Sequence, residues 1–146
     1  MITIRRLNSS TDRKKLKKIL SKNNFDDKKE ENEVIYLIEE NNEVLGVSKL
    51  TIWDNIGILK YLIIDKNIRG NNLGDGLLRA TLNYCYLNGI NKVYYLESDN
   101  YLLKKGFEKI DIIDAEDNIK RLINKKTALV CDVPVFFENT CNNGRG

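Results

Sequence analysis

Between Ile58 and Leu96 the hydrophobic pattern changes twice, and those changes leave few folds open. Ile58 to Ile64 is a short, mostly apolar run of the kind a buried strand shows. After Asp65 the chain enters a turn rich in glycine and asparagine, then a helix from Leu73 to Leu87. Leu73, Leu77, Ala80, Tyr84 and Leu87 share one stripe of that helix, and Leu78, Leu82 and Cys85 widen it. Asn88-Gly89 ends it as a C-cap, and Lys92 to Leu96 reads as a strand again. Strand, helix, strand in this order demands a right-handed crossover, locally parallel pairing and a helix packed on a sheet.

The flanking segments add antiparallel structure. Ile2 to Leu7 alternates like a strand, and Ser9-Ser10-Thr11-Asp12 offers cap chemistry for a helix running to about Asn23. Asn24 to Asn32 is polar with only Phe25 apolar, so it reads as a mobile loop or a short helix. Val34 to Glu39, Val44 to Ile52 and Ile58 to Ile64 are separated by Asn41-Asn42 and Asp54-Asn55, turns short enough for a meander. Further on, Tyr101 to Lys105 predicts a short helix stopped by Gly106, Phe107 to Ile113 a strand and Asp117 to Asn124 another helix. Ala128 to Phe137 predicts a last strand, with Pro134 placing its second half at an edge or bulge. An edge there offers a pairing surface for a homodimer. The expectation is an α+β fold: a mixed, mostly antiparallel sheet of six to seven strands with about four helices. Residues 1–140 would form one domain, and Cys141 to Gly146 a frayed tail.

Composition removes several chemistries. There is no histidine, and Cys85, Cys131 and Cys141 are widely spaced, so a metal site is not expected. Without histidine, Ser-His and Cys-His nucleophiles are excluded as well. Net charge is +3, too small to imply nucleic acid, and the basic stretch Arg13 to Lys18 reads as the solvated face of a helix that buries Leu16, Ile19 and Leu20. Apolar runs fall far short of the roughly 20 residues a bilayer span requires. Met1 to Arg5 already alternates like a strand, which argues against a signal peptide, so the expected location is cytoplasmic.

The turn from Arg69 to Gly76 carries the chemistry. The first turn of a helix presents N–H groups and a positive dipole end, a natural phosphate site. Glycines at 70, 74 and 76 permit close approach, and Arg69 adds a charge-assisted donor. The spacing is neither that of a Walker loop nor that of a dinucleotide turn. Taken alone, these features suit a phosphate site and a tightly packed structural turn equally well.

Arg69-Gly70-Asn71-Asn72-Leu73-Gly74 resembles motif A of the GNAT N-acetyltransferase superfamily: Arg or Gln, two residues, Gly, one residue, Gly or Ala. Asn100-Tyr101-Leu102-Leu103-Lys104-Lys105-Gly106-Phe107-Glu108 resembles motif B, which usually ends in Gly-Phe, and the order of elements is similar over nearly the whole chain. Val133-Pro134-Val135-Phe136-Phe137 is similar to the ending of small bacterial members. Two positions depart from the pattern. Asn72 stands where the first motif glycine belongs, and asparagine is the residue that best tolerates a left-handed backbone after glycine. Leu102 stands where many members carry a tyrosine that acts as general acid.

The resemblance implies acetyl-CoA as cosubstrate, with its pantetheine on the backbone of Leu62, Ile63 and Ile64 beside a strand bulge near Ile63. Its pyrophosphate would meet the N–H groups of Arg69, Gly70, Asn71, Asn72, Leu73, Gly74 and Asp75. It implies an N-acyltransferase acting on a small amine or peptide by direct attack, with a backbone N–H at Ile63 or Ile64 holding the oxyanion. An amine with a pKa of about 10 must lose a proton first, and Glu97, at the end of the strand flanking that gap, suits a base. Tyr101 is the candidate acid. Against these roles stand a strand-end salt bridge for Glu97 and a core or wall aromatic for Tyr101. An acyl-CoA-binding domain without catalysis, and a module binding through Arg13 to Lys18, are the competing function classes.

Overall fold

The computed structural model describes residues 1–68 and 72–143, the side chains of 140–143 excepted. Its strands are β1 (Thr3–Arg6), β2 (Glu33–Glu40), β3 (Glu43–Trp53), β4 (Ile56–Ile64), β5 (Lys92–Tyr95), β6 (Glu108–Asp111) and β7 (Thr127–Asp132). Its helices are α1 (Ser10–Lys22), α2 (Leu73–Leu87), α3 (Asn100–Lys104), α4 (Asp117–Leu122) and α5 (Val133–Asn143), with a 3₁₀ turn at Ile112–Asp114. One mixed sheet runs in the order β1-β2-β3-β4-β5-β7-β6. By its contacts the chain forms two units, residues 1–52 with 60–84, and residues 53–59 with 85–146.

In the first unit, β1 and β2 pair antiparallel from Thr3↔Glu39 to Arg6↔Tyr36, and β2 and β3 pair antiparallel with a shift of register between Ile38 and Glu39. Asn41 and Asn42 turn that hairpin with φ of 52° and 65°, the doubly left-handed geometry that matches strand twist. Helix α1 starts where the Ser9 hydroxyl accepts the Asp12 N–H, and it buries Leu16, Ile19 and Leu20 as its spacing predicts. These pack with Ile35, Leu37, Val47 and Tyr61. The basic stretch is partly engaged: Arg13 pairs with Glu33, and Lys15 with Glu39 at 2.9 Å. Buried Asp12 holds Arg5 through two hydrogen bonds of 2.7 and 2.8 Å, which draws its carboxyl well below the usual range. Within α2, Leu77, Leu78, Thr81 and Leu82 are buried, and Thr81 shares a 2.6 Å hydrogen bond with buried Ser48. The buried stripe therefore lies to one side of the predicted one, leaving Ala80 and Tyr84 half-buried.

In the second unit, β4 and β5 run parallel with Ile56↔Lys92, Gly57↔Val93 and Ile58↔Tyr94 in register, as the crossover requires. β7 lies antiparallel between β5 and β6. Ile56, Tyr94, Ile112, Ile119, Ile123 and Ala128 form the core of this unit.

The expected last strand is corrected by the structure. β7 stops at Asp132, and residues 133–143 are helical. The Asp132 carboxylate accepts the Val135 N–H at 3.1 Å, an N-cap bond, and Pro134 falls in the first turn, where its missing N–H is no loss. The strand edge at Val133 to Phe137 as a dimer surface goes with it. Cys141 to Asn143 fall within the span of α5, and 144–146 lie outside the described residues. The strand expected from Phe107 to Ile113 shortens to β6, because the chain turns into a 3₁₀ helix at Ile112.

Candidate active site

The turn after β4 is built before the helix begins. The Asp65 N–H donates to Leu45 O at 2.8 Å, which holds the end of β4 on β3. The buried Asp65 carboxylate accepts Lys22 Nζ at 2.6 Å and the Asn67 N–H at 3.1 Å, and the Ile68 N–H donates to Asp65 O at 3.0 Å. Lys22, first, and the Asn67 N–H keep this carboxyl below its ordinary pKa. Arg69, Gly70 and Asn71 lie outside the described residues. Asn72 has φ of 58°, the left-handed backbone its place in the motif calls for, and α2 starts at the next residue. Leu73, Gly74 and Asp75 make the first turn, whose dipole end faces back along the loop.

β4 changes character towards this turn. Ile56 to Leu59 and Tyr61 are buried, whereas Leu62, Ile63 and Ile64 are half-buried. Gly46 on β3 leaves their backbone its room: a Cβ there would stand 2.6 Å from Ile64 Cδ1 and 3.0 Å from Ile63 O. β2 shifts register against β3 between Ile38 and Glu39.

The catalytic candidates belong to the other unit. Glu97 stands just past β5, 68% exposed and ion-paired with Lys125, the strand-end salt bridge weighed against a catalytic role. Glu97, Ser98, Lys109, Lys125, Lys126 and Thr127 line a cleft of about 370 Å³. Asp99 caps α3 by accepting the Leu102 N–H at 2.9 Å. Tyr101, in the first turn, is half-buried with Lys105 Nζ 5.6 Å from its ring centre, while Leu102 is buried. Two neighbouring positions thus face different surroundings, and the buried one is where a motif tyrosine would sit. The Cys85 and Cys131 thiols are buried and pushed up to about 12 by that burial, which denies them thiolate character.

A third cluster has no warning in the motifs. Lys49, on β3, is wholly buried, and its Nζ lies 2.8 Å from Asp27 Oδ1, 2.8 Å from Lys28 O, 3.0 Å from Glu30 Oε2 and 3.5 Å from Glu33 Oε1. Burial pulls this ammonium's pKa down, but hydrogen bonds to Asp27 and Glu30 outweigh it and the net shift is upward. Tyr61 OH donates to Asp27 Oδ2 at 2.9 Å, and burial, then the Asp27 charge, hold the phenol protonated well above its ordinary range. Phe25 stacks edge-on against Tyr61 at 5.0 Å. The segment 24–32 is accordingly irregular chain, neither helix nor strand, pinned by one lysine and one tyrosine. The available signal was Lys49 itself, a charge between Val47 and Thr51 in a strand that is buried continuously from Gly46 to Thr51.

Among the described residues, no helix is long and apolar enough to cross a membrane, and no three metal-binding side chains gather.

Comparison with known proteins places this geometry. The family model for the acetyltransferase (GNAT) family matches residues 2–109. No curated protein matches in sequence. Among solved structures, a GNAT-family acetyltransferase from Staphylococcus aureus Mu50 superposes with a TM-score of 0.74 at 19% identity, covering 91% of this chain and 99% of that one. N-acetylglutamate synthase from Neisseria gonorrhoeae, complexed with coenzyme A and L-arginine, gives 0.74 at 14% identity over 90% of this chain and 33% of its own. The PaiA N-acetyltransferase from Thermoplasma acidophilum, in complex with coenzyme A, gives 0.67 at 14% over 90% and 99%. At such identities the likeness is one of fold, while the family model covers most of the chain: the chain belongs to the GNAT acetyltransferase family.

Proposed function

We propose that the chain is an acyl-CoA-dependent N-acyltransferase that moves an acetyl group from acetyl-CoA to a primary amine by direct attack, residues 1–140 acting as one cytoplasmic domain. The observation that carries this is Asn72. Its left-handed backbone stands immediately before the first turn of α2, the conformation its place in the phosphate-binding motif calls for despite the missing glycine.

In this reading residues 69–75 hold the pyrophosphate, and the half-buried backbone of Leu62 to Ile64 accepts pantetheine as an added strand would. A bulge near Ile63 turns an N–H towards the thioester oxygen. Glu97 takes the proton from the incoming ammonium. The amine nitrogen then bonds to the carbonyl carbon, the C–S bond breaks, and the CoA thiolate leaves to be protonated, with Tyr101 as the candidate donor and the second proton shed by the nitrogen restoring that donor. Glu97 does this only when released from Lys125, whose ammonium otherwise occupies the carboxylate oxygen that must meet the incoming amine.

The reading is tested by thiol release from acetyl-CoA across an amine panel with the wild type and Glu97→Gln. The expected result is a loss in kcat of about 100-fold or more, with acetyl-CoA affinity retained. An unchanged kcat at every pH removes Glu97 from the mechanism. Leu102 supports one other reading, an acyl-CoA-binding domain with little catalysis; tight CoA binding with negligible thiol release from every amine is its mark.

A further inference from the structure

We propose that the cleft beside Glu97 selects an acceptor carrying a carboxylate close to its amine, and that Lys125 is the residue that selects it. This rests on the acyl-transfer reading above and names its substrate class.

The cleft is formed within one unit. Glu97 and Ser98 follow the end of β5, and Lys125, Lys126 and Thr127 lead into β7, which runs antiparallel to β5 with Tyr95↔Leu129 in register. Lys109 joins from β6, opposite Leu129. Three lysines, a serine and a threonine therefore line the cleft with a single carboxylate residue, in about 370 Å³, the small end of the range for small-molecule sites. Such a lining repels a purely cationic amine and attracts an anion.

The ion pair already present explains how both ends of the acceptor are read. Lys125 and Glu97 are 43% and 68% exposed, so their pair is weak and exchangeable. A zwitterion whose carboxylate takes Lys125 leaves its own ammonium to Glu97. One pair becomes two, and the candidate base is left in contact with the nitrogen it must deprotonate. An amine without a neighbouring anion leaves Lys125 on Glu97, and the base stays engaged. Lys125 is thus a specificity-determining residue, acting on the reaction through Glu97.

The test reads binding, so it does not depend on turnover. Backbone amide shifts of the full chain are followed by NMR while L-alanine and L-phenylalanine, each against its amide, are titrated in. Expected are shifts around Glu97, Ser98 and Lys125 to Thr127 with the acids but not the amides. Affinity should fall at least fivefold in Lys125→Gln, be largely restored in Lys125→Arg, and be unaffected by Lys17→Gln, which removes the same charge from α1. Equal shifts from acid and amide, no shift, or undiminished binding in Lys125→Gln overturns the proposal. So does a Lys125→Gln variant that loses affinity for CoA but not for dephospho-CoA, since the lysines would then serve the cofactor's phosphate. Acid-selective shifts without thiol release from any amine would leave the cleft standing and remove the acyl-transfer reading instead.

Discussion

Asn72 and Lys49 mark the two extremes of what a single residue discloses. Asn72 stands where its motif places glycine, and its φ of 58° is the backbone that position demands. Left-handed geometry costs a residue with a Cβ about 1–2 kcal/mol, and a β-branched side chain suffers most. Asn72→Gly is therefore expected to keep both stability and acetyl-CoA binding, whereas Asn72→Val loses about that much stability by urea denaturation and weakens binding. Equal behaviour of the two would remove the turn from the site. This residue was legible because its requirement is local. Lys49 was not: its partners Asp27 and Glu30 lie in a segment without periodicity, Glu33 starts β2, and the cage forms only when the chain folds back over β3. Glu97 was legible as a strand-end carboxylate, but its partner Lys125 was not.

At the level of elements, periodicity located α1, α2 and the parallel pairing of β4 with β5, because each buries a long apolar face or follows from a crossover of fixed hand. It failed at β7 and α5. Ala128 to Phe137 is nearly continuous in apolar residues, and the break at Asp132 is made by a capping bond that hydrophobicity does not register. Asp-Val-Pro is nonetheless a helix start by cap chemistry, and reading Pro134 as an edge-strand residue inverted its meaning. The close approach of β3 and β4 makes a test at this scale. Gly46→Ala puts a methyl group 3.0 Å from Ile63 O and closer still to Ile64 Cδ1, which overpacks the site by about 1–3 kcal/mol. Chemical denaturation is expected to show that loss, and calorimetry a weaker acetyl-CoA; full affinity would separate the Leu62 to Ile64 backbone from the cofactor.

Across the whole molecule, the electrostatics set a direction for stability with pH. Asp12, Glu39 and Asp65 all sit below their ordinary values, Asp12 and Glu39 chiefly through Arg5 and Asp65 through Lys22. Carboxylates depressed on folding stabilise fully above their unfolded pKa, about 4, and that stabilisation drains as pH falls through the folded values. Thermal melts are therefore expected to drop steeply below about pH 4, and Asp12→Asn to flatten that limb while lowering the melting temperature near neutrality. In the function proposed above, the turn after β4 holds an acyl-CoA and the carboxylate past β5 handles the amine. Titration calorimetry of acetyl-CoA into the wild type and Arg69→Ala tests that account most directly. It predicts one site per chain and an affinity about tenfold weaker in the variant, ~1.4 kcal/mol; no binding, or binding indifferent to Arg69, would contradict it.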